Sequence, residues 1–498
     1  MNIATIIEGH PDGATALIAP DDTKITYGEL RERVESLRGG LAAMGVEPGD
    51  RVAIVTGNTP SFVTSYLAVV GLGAVAVLCN PSSPEAELAR ELRSVTTTFV
   101  IVGPAAAAAI SRLEVGTVIA ADGAQVEGAT ALSDIGGDRL GLGQSSSSDL
   151  AVLVFTSGTA GAPKAAMLTH GNLLANLDQI QRHPGREVQS DDVAFGVLPL
   201  FHIFGLNVVL GLTLHAGGCV VLREHFEPVA AAADIGRHGV TLLAGAPPMF
   251  GAWVSAAASV SATTFAKVRL AVSGAAPLAA EAARSFEEHF GIPLREGYGL
   301  TEASPVVTSS LLDQPAKPGS VGVPLPGLEV RLVDEDGDDA LEGDPGEIWV
   351  KGPNVFAGYW EDPKATSAAL APGGWLRTGD VGVVDDDGEI WLVDRAKDLI
   401  IVSGFNVFPT EVEEVLKAHP SVLDAAVIGC PDPRTGERVK AYVVVGDSEV
   451  GPVDLTAHCA RQLARYKCPA EIEVVDELPH ASSGKLLRKD VGSRASSR

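Results

Sequence analysis

Four short stretches of the 498-residue chain hold residue types that chemistry could use. Thr156-Ser157-Gly158-Thr159-Ala160-Gly161-Ala162-Pro163-Lys164 combines hydroxyls, glycines and a lysine. Successive backbone N–H groups in such a loop form an anion nest, and the lysine adds a cation. A P-loop ends Gly-Lys-Ser/Thr. Here Pro163 precedes Lys164 and Ala165 follows it. Read alone, the stretch is either a phosphate cradle of another kind or a solvent loop. In Glu296-Gly297-Tyr298-Gly299-Leu300-Thr301-Glu302, a flat ring beside bare backbone suits a purine. The Glu302 carboxylate suits Mg²⁺ there. The competing reading is a glycine-rich turn with a surface acid. Asp380 sits between Gly379 and Gly382, in what reads as a turn before a strand. A carboxylate there accepts both hydroxyls of a ribose, or closes an Asx-type turn. Arg395 and Lys397 follow close by and read otherwise as a solvated ion-pair cluster. Lys485 follows Ser482-Ser483-Gly484 on an exposed-looking loop, where most lysines are surface residues and nothing more.

These stretches need elements to position them. Leu30, Val34, Leu37, Leu41 and Met44 recur at helical spacing. Thr26 and Glu29 are spaced to cap that helix, and Gly45 to end it. Residues 52–58, 150–159 and 268–278 each read as an apolar strand running into a loop, with helical segments between. Strands alternating with helices predict an α/β fold with parallel sheets and ligand loops at strand ends. After about residue 320 the pattern changes to short strands and tight turns, including a hairpin with Asp387-Gly388 at its tip. A helix begins near Thr410, with Glu413 at capping-box spacing, and stops at His419 before Pro420.

At 498 residues the chain is expected to form at least two domains. The boundary is placed at residues 394 and 395. A large domain, 1–394, would combine βαβ-type sheets with a small barrel-like β subdomain. A small mobile α+β domain, 395–498, would carry Lys485. The net charge of −26 disfavours nucleic acid as a partner. Cys79, Cys219, Cys430, Cys459 and Cys468 show no CxxC spacing and predict buried thiols in a reducing, cytoplasmic setting. No transmembrane segment is expected, since residues 205–222 read as a buried helix, turn and strand. The oligomeric state is open, a homodimer included.

Taken together and in order, the stretches resemble a known family. TSGTAGAPK with LTHGN, PLFHIFG, SGAAPL, EGYGLTE, GYWEDPKAT, GWLRTGD, VDRAKDLI, SGFNVFPTEVE and SSGKLLRK run from about Thr26 to Lys489. The sequence resembles the adenylate-forming acyl-CoA synthetases, the group that includes fatty-acyl-CoA and 4-coumarate-CoA ligases and luciferases. The resemblance implies two half-reactions. A hydrophobic carboxylate attacks the α-phosphate of Mg-ATP, giving acyl-AMP and pyrophosphate. CoA thiolate then displaces AMP.

The resemblance also implies roles. Thr156, Ser157, Gly158, Thr159, Gly161 and Lys164 would embrace the β- and γ-phosphates, with Thr159 and Glu302 near Mg²⁺. Gly274, Ala275 and Ala276 would line the adenine site with Glu296, Gly297 and Tyr298. Thr301 would meet the α-phosphate, and Asp380 and Arg395 the ribose. Lys485 would bridge the carboxylate and the α-phosphate, offsetting transition-state charge. Lys397 stands at the family's hinge. A large rotation there would bring Ser403, Gly404 and Phe405 to the CoA arm. His202 would line the acyl site at the reaction centre.

The small apolar stretches around it suit a medium or long acyl chain. Two positions depart from the family: Ala160 stands where Thr or Ser is usual, and Ala165 where Gly is usual. Both put ATP affinity in question. A ligase loading a carrier protein, an aryl or short-chain acid-CoA ligase and a non-catalytic adenylate binder are the competing expectations. The first of these usually carries an insertion near the domain junction, and residues 352–397 show none.

Overall fold

Thr26 opens the first long helix, Tyr27–Ala43. Its side chain accepts from Glu29 N and Glu29 reaches back to the Thr26 N–H. This is the reciprocal cap that the spacing predicts. Leu30, Val34, Leu37 and Leu41 are all buried. The computed structural model describes residues 1–498 except 157–163, 186, 276–277, 279, 311–316, 318, 335–336, 342, 396–399, 408, 447–449, 479–490 and 492–498.

Among the described residues the strands form three sheets. The first has seven strands. Arg51–Val55, Val75–Leu78, Phe99–Val102 and Leu150–Thr156 lie parallel at its centre and are almost wholly buried. Helices cover them, as continuous apolar strands require. The helix Pro60–Leu72 is apolar nearly all round and correspondingly buried on nearly every face. At the edge, Leu150–Thr156 pairs with Lys164–Thr169 in the antiparallel sense.

The second sheet has fourteen strands. Its parallel part includes Val193–Gly196, Leu242–Gly245, Leu270–Ser273 and Leu294–Gly299. Antiparallel strands from Val306–Ser309 to Ile390–Arg395 continue it. These include the short strands and the hairpin expected after residue 320, with Gly388 at φ +79° in the turn. The third sheet has five strands between Ile400 and Val474, with the helices Pro409–Lys417 and Pro452–Ala460 packed on a core of its own.

Three local readings change. Asp380 does not sit in a turn: it lies inside the ten-residue strand Trp375–Val384. Gly379, at φ +76°, gives a local kink without ending the pairing. Glu296 to Gly299 belong to a strand, with the turn only at Thr301–Ala303. Within residues 205–222, the helix begins as a π-helix, Phe204–Gly211, before a single α-turn and the strand Cys219–Leu222. The wider π-turn sits where Asn207 donates from Nδ2 to the carbonyls of Leu173 and Ser304. Such turns concentrate at functional sites. Among the described residues, no helix is long and apolar enough to cross a membrane.

Candidate active site

The first site element is a hairpin. Thr156 stands opposite Lys164 across the antiparallel pair. The segment 157–163 therefore joins two strands, unlike the strand-to-helix turn of a P-loop. Ser157, Gly158, Thr159, Ala160 and Gly161 lie outside the described residues. Thr156 Oγ1 donates to the Lys164 carbonyl at 3.4 Å. Lys164 Nζ lies 5.2 Å from the centre of the Tyr359 ring, within cation–π range.

Tyr359 also holds the acid. Its hydroxyl donates to Glu302 Oε1 at 2.6 Å, while Phe356 N donates to the Glu302 carbonyl at 2.9 Å. Burial raises the Glu302 pKa, and the negative charge of Asp380 adds to that; the Tyr359 hydrogen bond and Lys164 oppose it. Thus Lys164 and Asp380 both act electrostatically on Glu302, although the chain separates them widely. Tyr359 stands in the GYWEDPKAT segment without an assigned role, and an aromatic hydroxyl in that motif was the available signal.

Asp380 Oδ2 accepts from the Tyr298 hydroxyl at 2.7 Å. Tyr298 is 6% exposed, so its ring is largely fixed. Asp380 is the register partner of Arg395. The Arg395 side chain and all of Lys397 lie outside the described residues. Thr301 stands three residues beyond Tyr298, at the start of the short 3₁₀ segment that carries Glu302.

A cavity of about 160 Å³ opens beside these groups. Gly274, Ala275, Glu296, Gly297, Tyr298, Thr301, His202 and Gly404 all contribute to its wall. Its remaining wall is mostly apolar, including Phe195, Val209, Leu212, Leu243, Leu270 and Val272. A Cβ added at Gly274 would stand 3.1 Å from the Phe204 ring, so the bare backbone there leaves room for that ring. Ala275 adopts φ +67°, and Ala276 lies outside the described residues. Burial lifts Glu296 to about 7, against a hydrogen bond from Leu278 N at 3.3 Å. Burial also lowers His202 to about 4, so its imidazole is neutral near pH 7.

Residues of the third sheet close one side. Gly404, at φ +83°, comes so near the cavity that an added Cβ would lie 3.1 Å from the Ala246 Cβ. Ser403 turns the chain at φ +52°, its N–H bonded to the Thr435 carbonyl. Phe405 stacks on Tyr466 at 4.4 Å between ring centres and faces Phe201 and His202. Phe201, Tyr466 and this aromatic contact are additions that the motifs did not specify. Lys485 lies outside the described residues. Asp22, Asp234 and His238 also converge, but Arg223 and Arg237 pair with the two aspartates, so the group is an ion-pair cluster.

The family model for AMP-binding enzymes matches residues 4–360, and that for the AMP-binding enzyme C-terminal domain matches 411–485. A long-chain-fatty-acid–CoA ligase of Yersinia pestis is 34% identical over 94% of this chain and 89% of its own length. A feruloyl-CoA synthase of an Amycolatopsis species is 38% identical over 95% of this chain and 94% of its own. Among solved structures, the amide bond synthetase McbA of Marinactinospora thermotolerans superposes with a TM-score of 0.90 at 31% identity, covering 99% of both chains. The chain belongs to the AMP-binding enzyme family and is an AMP-forming acid–thiol ligase of the acyl-CoA synthetase type.

Proposed function

We propose that this ligase activates a hydrophobic carboxylic acid of medium or long chain, forming acyl-AMP and then acyl-CoA. The apolar cavity beside the Glu296–Glu302 segment is the observation that carries this reading. A charged substrate tail would find no opposite charge among Phe195, Val209, Leu212, Leu243, Leu270 and Val272. The acid's carboxylate would lie toward Thr301 and the acyl chain between the π-helix and the parallel strands. His202, neutral near pH 7, offers shape and a hydrogen-bonding ring there, without a cation.

In this reading Tyr298 stacks against the adenine, and Asp380, held by Tyr298, receives the ribose hydroxyls. Arg395 takes the facing position on the neighbouring strand. Lys164 and residues 156–161 hold the outer phosphates. Glu302 fits a hard divalent cation, because it is an oxygen donor held in place by Tyr359, whose ring also faces Lys164. Mg²⁺ bound there would neutralise phosphate charge. Lys485 would reach the carboxylate and α-phosphate during adenylation, after residues 395–498 rotate as a domain about Lys397. Ser403 and Gly404 would serve the CoA arm in the other orientation, in which Gly404 lines the cavity.

The feruloyl-CoA synthase likeness favours a second reading, in which the acid is aromatic. A panel test separates the two. The protein is incubated with ATP, Mg²⁺ and decanoic, palmitic, p-coumaric or ferulic acid, with and without CoA. Acyl-CoA from the fatty acids supports the first reading, and from the aromatic acids the second. Acyl-AMP accumulating despite CoA would contradict CoA as the acceptor.

A further inference from the structure

Away from the cavity, a group of charged side chains is sealed between the first sheet's helix Glu85–Ser94 and the third-sheet region. Lys467 Nζ donates to Glu87 Oε1 at 2.7 Å and to Glu411 Oε1 at 3.0 Å. The other Glu87 oxygen accepts from Ala464 N at 2.7 Å. Arg90 donates to the Gln462 carbonyl at 3.2 Å. Glu87, Glu91, Glu411 and Lys467 are each no more than 6% exposed. Glu91 lies beside Cys79 and Glu87; burial and Glu87 raise it to about 8, so it keeps its proton near neutrality.

Burying an ion pair gives little net stability, because desolvation offsets the attraction. Such a pair does penalise every arrangement in which one charge stays buried alone. Here the partners come from segments 380 residues apart, on two different sheets' layers. They suit a contact that is specific when made and that returns to water when the bodies separate.

The cluster also connects to the active site. Lys467 follows Tyr466, whose ring stacks on Phe405. Phe405 adjoins Gly404 at the cavity wall.

We propose that Lys467, clamped between Glu87 and Glu411, is a positioning residue that seats the Ser403–Phe405 segment at the cavity mouth and so favours the thioester half-reaction over adenylation. The kinetic part rests on the acyl-CoA reading above. The clamp itself does not, and it is tested without any ligand.

The full-length protein is compared as wild type, Lys467→Met, Glu87→Gln, the double variant and Lys467→Arg. Hydrogen exchange is followed in the helix Glu85–Ser94 and in residues 400–407, with Tyr27–Ala43 as the internal control. The clamp predicts about tenfold faster exchange in the first two segments for either single variant, and no change in the control. The double variant should fall short of the summed effects, and Lys467→Arg should restore most protection.

With synthetic decanoyl-AMP and CoA, the single variants should lose about tenfold in thioester formation while keeping ATP–pyrophosphate exchange at the wild-type rate or above. Unchanged exchange at both segments overturns the clamp. So does an equal loss of both half-reactions with faster exchange throughout, the mark of a merely structural role. If Lys467→Met does not fold, Glu87→Gln reports on the same contact from the other side. Inert wild type with decanoyl-AMP, but altered exchange in the variants, would sink the acyl-group reading and leave the clamp standing.

Discussion

Tyr359 donates its phenolic hydrogen to Glu302 at 2.6 Å while its ring faces Lys164. One side chain thus orients both the acid and the cation of the proposed phosphate end of the site. The hydrogen bond favours the ionised carboxylate, against the burial that disfavours it. Tyr359→Phe removes that donor and keeps the ring. A hydrogen bond to a charged group contributes about 1.5–3 kcal/mol. We expect the KM for Mg-ATP to rise about tenfold or more and the Mg²⁺ requirement to increase, measured by titrating Mg²⁺ at fixed ATP. An unchanged Mg²⁺ dependence would contradict this role.

Tyr298 and Asp380 form the second such pair. Tyr298→Phe should weaken ATP by about tenfold, with little effect on the KM for the acid. Initial rates at varied ATP and at varied acid separate the two. A larger effect on the acid would place Asp380 in the acyl site.

Glu296 supplies a pH dependence. Burial raises its folded-state pKa to about 7, above the ordinary carboxylate value. Below the unfolded value, both states hold the proton and its contribution is fully present. Between that value and about 7, the folded state holds a proton that the unfolded state has released, so stability falls as pH rises. Glu296→Gln should flatten this decline between roughly pH 5 and 7, as seen in urea denaturation at several pH values. A decline of undiminished slope would contradict the assignment.

Gly274 sets the fit of the cavity wall against Phe204. A Cβ there would lie 3.1 Å from ring atoms, so Gly274→Val crowds the Phe204 ring at the cavity wall. The KM for the longest accepted acid should rise about tenfold and that for the shortest much less, and the KM for ATP should rise as well, because Gly274 also lines the proposed adenine site. Equal effects on all chain lengths would show that the added atoms do not reach the acyl chain.

Ala165 resolves one of the two departures from the family pattern. It is 5% exposed, stands opposite Phe155 in the hairpin and packs in the core of the first sheet. Its methyl fills space in a strand. Ala165→Gly should therefore cost about 1 kcal/mol of stability and leave the KM for ATP unchanged. A lowered KM would return Ala165 to the phosphate site. Ala160 belongs to the undescribed segment, and its conversion to Thr is judged by the KM for ATP alone.

Legibility followed the range of the interactions. The Thr26–Glu29 cap, the buried strands at 52 and 150, and the Asp387-Gly388 hairpin depend on neighbours within a few residues, and the pattern of types reveals them. The flanking glycines make Asp380 read as part of a turn, whereas its strand is set by pairing with residues 346–350 and 390–395. Within the π-helix at 204–211, Asn207 finds carbonyl partners at Leu173 and Ser304, contacts that no local spacing encodes. Tyr359 meets Glu302 across 57 residues, and Lys467 meets Glu87 across 380. Motifs named many of the site's residues, but only the folded chain shows which side chain holds which.

Acid-dependent exchange between ATP and labelled pyrophosphate, without CoA, tests adenylation most directly. Wild type should catalyse exchange with a hydrophobic acid. Lys485→Ala should lose it by roughly 100-fold or more while still converting supplied acyl-AMP and CoA to acyl-CoA. Exchange that ignores the acid, or equal loss of both half-reactions in Lys485→Ala, would contradict it.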